Sequence, residues 1–472
     1  RHTALCWKSR RLWSCIEKKH LETRFALREM PMEKLLRKIF LFLLILWIAF
    51  PVAYAGNGSN KPNFIIILSD DQGYGDVSYH EHPPDISTPG IDRLARNGRI
   101  FTNGYVSAYV CAPSRAGLLT GRYQQRYGFY RCSDSRLGLP LNEITLADLL
   151  KRQGYATGVF GKWHLGIRPA YHPLKRGFEE FYGFLGHGAH DYFDLTCRSG
   201  REYNCIYRNS KIINDSGYLT DNLAREACVF IEKNASRGRP FFLYLAFNAV
   251  HWPLQAPEED VKRFQTGNKN RNIYLAMLYR MDMAINRVVQ VLKERKLYDN
   301  TVTFYLTDNG GAKRTTADNR PLRGYKHSTY EGGIRVPFIM TWPGHIEPGI
   351  CDEPVISLDI MPTICDILGI KLPEGRAYDG KSLIPLIKGK QKGPLHEFLF
   401  WDGNEGLWAV RNGKWKLLKN RNGAIELYDL QRDIGERRDL SQRYPHIVAR
   451  LFKRYKDWRS SMGEPMKKNR NR

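Results

Sequence analysis

The chain has no internal repeat and no long low-complexity segment, which excludes solenoid, propeller and collagen-like architectures. Its longest N-terminal apolar run, Ile39 to Phe50, is too short for a comfortable transmembrane helix. Acidic side chains are scarce: 48 Asp and Glu stand against 73 Lys and Arg, a formal charge of +25. Such a balance attracts polyanions through long-range steering, although a solvated basic surface explains it as well. No segment resembles a nucleic-acid-binding module, so no nucleic-acid partner is expected. Disorder is excluded as the default, because apolar residues make up 42% of the chain and can supply a large core. A length of 472 residues points to two or three units.

Residues 1–31 read poorly as structure and are expected to be an untranslated or artefactual leader. From Met32 the pattern changes. Lys34, Arg37 and Lys38 form a basic stretch, the apolar run follows, and Ala53-Tyr54-Ala55 offers a small-residue cleavage site before Gly56. That is the layout of a secretory signal peptide over residues 32–55, with an uncleaved signal anchor as its rival. A secreted, lysosomal or periplasmic location follows. Without residues 1–55 the chain keeps a charge of about +18. Asn57, Asn214 and Asn234 each begin an Asn-x-Ser sequon, which suits a glycosylated route.

Phe64-Ile-Ile-Ile-Leu68 is a continuous apolar run that suits a strand buried on both faces, and it ends at Asp70-Asp71. Ala156 to Phe160, Phe241 to Phe247 and Thr301 to Leu306 are similar. They end near Lys162, at Asn248 and His251, and at Asp308-Asn309. Helical patterns lie between them, at Leu146 to Arg152, Leu219 to Lys233 and Tyr274 to Arg295. The alternation predicts an α/β fold with a large, mainly parallel central sheet flanked by helices. Ligands of such sheets bind beyond the carboxyl ends of the strands, where all these polar groups fall. From Pro394 the texture shifts. Leu407 to Arg411, Lys414 to Lys419 and Ala424 to Tyr428 are short strands joined by Asn412-Gly413 and Asn422-Gly423, the signature of an antiparallel meander. A helix from Tyr444 to Arg459 and a basic tail follow. The expected organisation is a catalytic domain over 56–393 and a small C-terminal α+β subdomain over 394–472.

Cys111-Ala112-Pro113-Ser114-Arg115 precedes Ala-Gly-Leu-Leu and Thr120-Gly121-Arg122. Pro113 suits the first turn of a helix, where its missing N–H is not needed. Cys111 then sits at the positive end of that helix with Arg115 one turn away, a place to bind an oxyanion. A lone cysteine is more often a buried structural thiol. The twelve-residue combination instead resembles the Cys-x-Pro-Ser-Arg signature of the type I sulfatases, arylsulfatase and N-acetylgalactosamine-6-sulfatase-like members of the alkaline phosphatase-like superfamily. The resemblance implies that Cys111 is oxidised to formylglycine by a formylglycine-generating enzyme, and that the aldehyde hydrate attacks a sulfate ester.

Asp70, Asp71, Asp308 and Asn309 are oxygen donors on two neighbouring loops, and hard oxygen donors select Ca²⁺ or Mg²⁺ over zinc. The resemblance implies one Ca²⁺ per chain, with the residue made from Cys111 as a further ligand. Gly161-Lys162-Trp163-His164-Leu165-Gly166 resembles a second sulfatase segment. There Lys162 would neutralise sulfate and hold the hydrate, and His164 would contact the hydrate hydroxyl. By the same resemblance His251 would bind a sulfate oxygen and help protonate the departing alcohol. Lys326, ahead of Glu331-Gly332-Gly333-Ile334-Arg335-Val336-Pro337, would bind sulfate, and Arg115 would steady the nucleophile. Glu426-Leu-Tyr-Asp429 and Asp433-Ile-Gly-Glu436 suit the family's C-terminal subdomain, and the likeness runs over roughly residues 61–440.

One departure stands out. Gly186-His187-Gly188-Ala189-His190-Asp191 has Ala189 where arylsulfatase A-like members carry a serine, so a hydrogen bond to substrate is missing or comes from elsewhere. Of the seven cysteines after the signal segment, six remain with Cys111 set aside: Cys132, Cys197, Cys205, Cys228, Cys351 and Cys365. Cys197 and Cys205 are expected to form a local bridge, and Cys228 to be a buried free thiol. The implied function is a secreted sulfatase acting on sulfated glycans or other sulfate esters. The alternatives are a phosphodiester or phosphonate hydrolase of the same superfamily and an inactive glycan-binding relative. Substrate choice is expected to lie in the loops Asp134 to Leu139, Arg168 to Arg176 and Ala189 to Asn209.

Overall fold

Uninterrupted apolar runs need cover on both faces, and in this chain they form the centre of a ten-stranded sheet. The computed structural model describes residues 31–33, 36–37, 61–80, 85, 87–186, 190–197, 202–404 and 406–467. The leader and signal segment lie almost wholly outside the described residues, as do Asn57, His187 and Ala189. Lys61–Arg472 is one compact unit, separate from Arg1–Asn60. No helix among the described residues is long and apolar enough to cross a membrane.

The large sheet comprises β1 (Asn63–Ser69), β2 (Gly98–Phe101), β3 (Ala156–Lys162), β4 (Glu180–Phe184), β5 (Ile206–Arg208), β6 (Lys211–Ile213), β7 (Phe241–Ala246), β8 (Thr301–Thr307), β9 (Phe338–Thr341) and β10 (Gly349–Cys351). Its order is β10-β2-β9-β8-β1-β7-β3-β4-β5-β6. The five strands from β8 to β4 are mutually parallel. β9 runs antiparallel between β8 and β2, and β5 and β6 add an antiparallel edge. Alternate side chains of β1 separate two cores. Phe64, Ile66 and Leu68 pack with Leu118 and Leu119 of α1 (Cys111–Thr120). Ile65 and Ile67 pack with Leu223 and Ile231 of α2 (Leu219–Ser236) and with Leu278 and Ile285 of α3 (Lys269–Glu294).

The C-terminal strands β11 (Leu399–Asp402), β12 (Trp408–Asn412), β13 (Trp415–Lys419) and β14 (Ile425–Asp429) form a sequential antiparallel sheet. Gly413 and Gly423 take φ of 54° and 84°, as the two Asn-Gly turns require. β11 has no such turn beside it and was not foreseen. α4 (Pro445–Ser460) covers the sheet, with Tyr455 stacked on Trp408 at 4.2 Å and Trp458 on Phe400 at 4.9 Å. The apolar core of this small sheet continues toward the large sheet through Tyr105 and Trp401, whose indole N–H donates to the Val106 carbonyl at 2.7 Å.

A buried ionic cluster fastens the same junction. Lys416 Nζ lies 2.9 Å from Glu331 and 2.8 Å from Glu436, and all three side chains are fully buried. Tyr105 O–H donates to Glu331 at 2.6 Å, and the Glu331 N–H donates to Glu436 at 2.7 Å. Burial alone raises both carboxyls. For Glu331 it is outweighed by Lys416, Arg335 and Arg411, which take it down to about 2. For Glu436 burial wins over Lys416, with the Glu331 charge adding to it, and pushes it up to about 7.

Two outcomes follow from this cluster. Lys416→Met removes the one cation that the two buried carboxyls share, leaving Glu331 only its arginines, and should lower unfolding free energy by about 3–5 kcal/mol in urea titrations. Glu436 keeps its proton in the folded chain at a pH where the unfolded chain has lost it. Its contribution to stability is therefore full below the ordinary Glu range and is lost as pH rises through about 7. Urea midpoints measured across that window should fall with pH in the wild type and fall less in Glu436→Gln.

Candidate active site

Four parallel strands deliver polar residues to one edge of the sheet. Ser69 is in register with Thr307, so Asp70 and Asp308 leave β1 and β8 side by side. Ala246 pairs with both Leu68 and Gly161, which brings the Asn248–His251 turn and Lys162 to the same edge. Asp71 and His164 adopt left-handed backbone, with φ of 61° and 58°. Non-glycine residues take such values at a cost of roughly 1–3 kcal/mol, which the surrounding structure holds in place. Gly310 is required by close packing: a Cβ there would fall 1.9 Å from the Gly332 carbonyl oxygen. The Asp-Asn-Gly-Gly loop and the Glu-Gly-Gly segment thus lie backbone to backbone.

α1 begins at Cys111, its first helical residue, and ends on Gly121 in the left-handed conformation. All ten of its residues are buried. From this helix Arg115 reaches inward. Its guanidinium donates to Asp308 Oδ2 at 2.9 Å and to the Lys162 carbonyl at 3.0 Å, and lies 3.5 Å from Asp70. Lys162 Nζ meets Asp70 Oδ2 at 2.5 Å. Lys326 Nζ bridges Asp71 Oδ1 at 2.6 Å and Cys111 Sγ at 3.0 Å. One donor atom each from Asp70, Asp71, Cys111 and His251 lies within 4.8 Å of the others. Of the expected ligands, Asp70, Asp71 and Cys111 fall in this group, and His251 joins them. Here Asp308 is occupied by Arg115, while Asn309 donates its amide to Asp71 at 2.8 Å.

The charges explain the protonation states. The hydrogen bond from Cys132, helped by Lys162 and Lys326, holds the Cys111 thiol well below its usual range against the effect of burial. Burial, then the Asp70 charge, raise Asp308 well above the usual carboxylate range, with Arg115 opposing them. At Asp70 burial is outweighed by Lys162, His251 and Arg115, and its carboxyl is lowered. Burial pushes His164 down to about 4, so its imidazole is neutral at neutral pH and able to accept a proton. His251 Nδ1 lies 2.6 Å from the Trp252 carbonyl, to which it donates, so the other nitrogen Nε2 faces Asp71 at 3.6 Å. With Nδ1 donating, Nε2 can also donate only in the imidazolium form, which the Asp71 carboxylate favours; without that proton the two acceptors need a cation between them.

The model described as Sulfatase matches residues 62–370, and one described as N-sulphoglucosamine sulphohydrolase, C-terminal, matches residues 325–461. The chain belongs to the sulfatase family. Arylsulfatase A of Bos taurus is 36% identical over 394 residues, 78% of this chain and 76% of its own. N-acetylgalactosamine-6-sulfatase of Sus scrofa is 34% identical over 384 residues, 75% of this chain and 71% of its own. Among solved structures, Ps i-CgsB in complex with k-i-k-neocarrahexaose superposes with a TM-score of 0.81 at 36% identity, covering 86% of this chain and 94% of that one. This sulfatase is a sulfuric ester hydrolase of the alkaline phosphatase-like superfamily, as its sequence resemblance implied.

All the site residues expected from the sequence of the sulfatase converge here. Two others were missed. Cys132, in a short helical turn beside α1, hydrogen-bonds Cys111, and no spacing rule links the two. Asn248 has both side-chain polar atoms buried without a partner. Its place at the end of β7 was the only signal. Asp70 Oδ1 and Asn309 Oδ1 are likewise buried without a hydrogen-bond partner. Orphaned oxygens beside three carboxylates fit a hard divalent cation. Titrating the sulfatase with Ca²⁺ or Mg²⁺ should therefore raise its unfolding free energy, by about 2.7 kcal/mol at a hundredfold excess over Kd. Asn309→Leu should lose most of that gain in thermal shift, and a wild type that responds to neither ion would remove the cation from the site.

Proposed function

We propose that this sulfatase hydrolyses sulfate esters of carbohydrates through formylglycine made from Cys111, with Ca²⁺ held by Asp70, Asp71, Asp308, Asn309 and the modified residue. The observation that carries the reading is the placement of Cys111 Sγ at the buried start of α1, 3.0 Å from Lys326 Nζ and within the Asp70–Asp71–His251 group. Formylglycine as its hydrate would supply a hydroxyl nucleophile, and a divalent cation held by these residues would supply positive charge to the site.

The chain's own side chains complete the chemistry. A sulfate monoester carries negative charge and resists attack until its oxygens are neutralised. Lys162 and Lys326 stay protonated: although burial works against their charge, the carboxylates beside them outweigh it. Both are therefore placed to bind sulfate oxygens. His251, through Nε2, binds a further oxygen and passes a proton to the departing alcohol. His164, neutral and beside Cys111, accepts a proton when sulfate is released. Arg115 positions rather than reacts, because its guanidinium is occupied by Asp308, Asp70 and the Lys162 carbonyl.

The sugar assignment is supported by the k-i-k-neocarrahexaose in complex with Ps i-CgsB and by the basic character of the chain. A secretory route with formylglycine installed by a maturation enzyme is supported by the Cys197–Cys205 disulfide and by the signal-like segment 32–55. Cys228 and Cys365 are buried free thiols.

Three oxygen-binding side chains suit a terminal group with three free oxygens better than a diester with two. Enzyme made with a maturation system should show higher kcat/KM for an aryl sulfate than for the matching aryl phosphodiester. Lys326→Ala should lose about 2–4 kcal/mol of transition-state stabilisation, and Cys111→Ala should lose turnover altogether. A preference for the diester would instead favour a phosphodiesterase of the same superfamily.

A further inference from the structure

Between the segment that carries Lys326 and the turn before β14 lies a cavity of about 300 Å³. Its walls include Arg323, Ser328, Tyr330, Asn420, Arg421 and Glu426. None of these belongs to the loops from which substrate choice was expected. Chain continuity ties the cavity to the active site. Arg421 donates to the carbonyl of His327 at 3.2 Å, and the neighbouring Lys326 reaches Asp71 and Cys111.

The lining has the chemistry of a saccharide site. Tyr330 offers a ring face, with the Arg323 guanidinium 4.1 Å from its centroid on one side. Glu426 is a fixed acceptor, held by the hydroxyls of Tyr330 at 2.6 Å and Tyr428 at 2.8 Å and by the Asn420 amide at 2.6 Å. Arg421 is exposed, and among the described residues it pairs with no carboxylate; its guanidinium donates to one backbone carbonyl. A guanidinium with free donors, held against the residue that follows Lys326, matches a sulfate or carboxylate in bidentate fashion. The volume is at the small end of ligand sites, enough for one sugar ring.

We propose that this cavity is a second saccharide subsite. It holds the sugar next to the one bearing the scissile sulfate, and Arg421 pairs an anionic group, sulfate or carboxylate, on that neighbour. The proposal rests on the sulfatase reading of the Cys111 centre and names its substrate class: an oligosaccharide charged on adjoining sugars.

The test uses the matured full chain with p-nitrophenyl sulfate and three sulfated disaccharide sets, whose second sugar carries a sulfate, a uronate carboxylate or no charge. Wild type should favour one charged set over the neutral set by roughly tenfold to a hundredfold in kcat/KM, and which set wins identifies the anion. Arg421→Gln should abolish that preference through KM while leaving p-nitrophenyl sulfate turnover within about twofold. Aryl sulfate turnover without any preference for a charged neighbour, or without turnover of any disaccharide, would overturn the subsite alone. So would an equal loss on aryl sulfate in Arg421→Gln, which would show that Arg421 acts through Lys326. Wild type that hydrolyses no sulfate ester would overturn the sulfatase reading and the subsite with it.

Discussion

The arrangement of the active site depends on one buried guanidinium. Arg115 projects from α1 to Asp308 at the end of β8, to Asp70 at the end of β1 and to the carbonyl of Lys162 at the end of β3. A single fully buried side chain thus ties the helix that begins with Cys111 to three strand ends. A buried unpaired arginine would be very costly, and so would buried unpaired carboxylates. Each therefore needs the other in place, and that mutual need holds Cys111 at the sheet edge. A lysine could supply the charge but not the fork of donors that spans a carboxylate and a carbonyl.

Around that tie the site is dense with charge. Asp70, Asp71 and Asp308 face Arg115, Lys162 and Lys326, nearly all of it away from solvent. In such surroundings electrostatic interactions are strong and little screened by salt. The same density keeps the two lysines charged and adds to the effect of Cys132 in bringing the Cys111 thiol down. The C-terminal sheet reaches this centre indirectly. Lys416 anchors Glu331, whose neighbours Gly332 and Gly333 back the loop carrying Asp308 and Asn309. The small sheet is thus part of the support of the site, and through Arg421 it also lines the cavity beside it.

Much of this was legible in the sequence. The four central strands are apolar on both faces, so they read as continuous runs, and the polar residue after each run marked the edge where the site forms. The Cys111, Lys162 and Lys326 segments carried the family resemblance. Features made by folding alone were not legible. Nothing in the spacing of Cys111 and Cys132 shows that they touch. The antiparallel placement of β9 depends on a return connection that periodicity does not encode. β11 is four residues long with no Asn-Gly turn beside it. The position of Arg421 beside His327 joins residues 94 apart through the C-terminal sheet. His251 joins Asp70, Asp71 and Cys111 only because the fold brings the turn after β7 to this edge.

The central claim is that Cys111 is the reacting residue and acts only after oxidation to formylglycine. The most direct measurement is mass spectrometry of the tryptic peptide containing Cys111, taken from enzyme of known specific activity made with and without a maturation system. The account predicts that formylglycine occupancy at Cys111 and sulfate-ester turnover rise in proportion. Full activity in a preparation whose Cys111 is entirely unmodified thiol would contradict it.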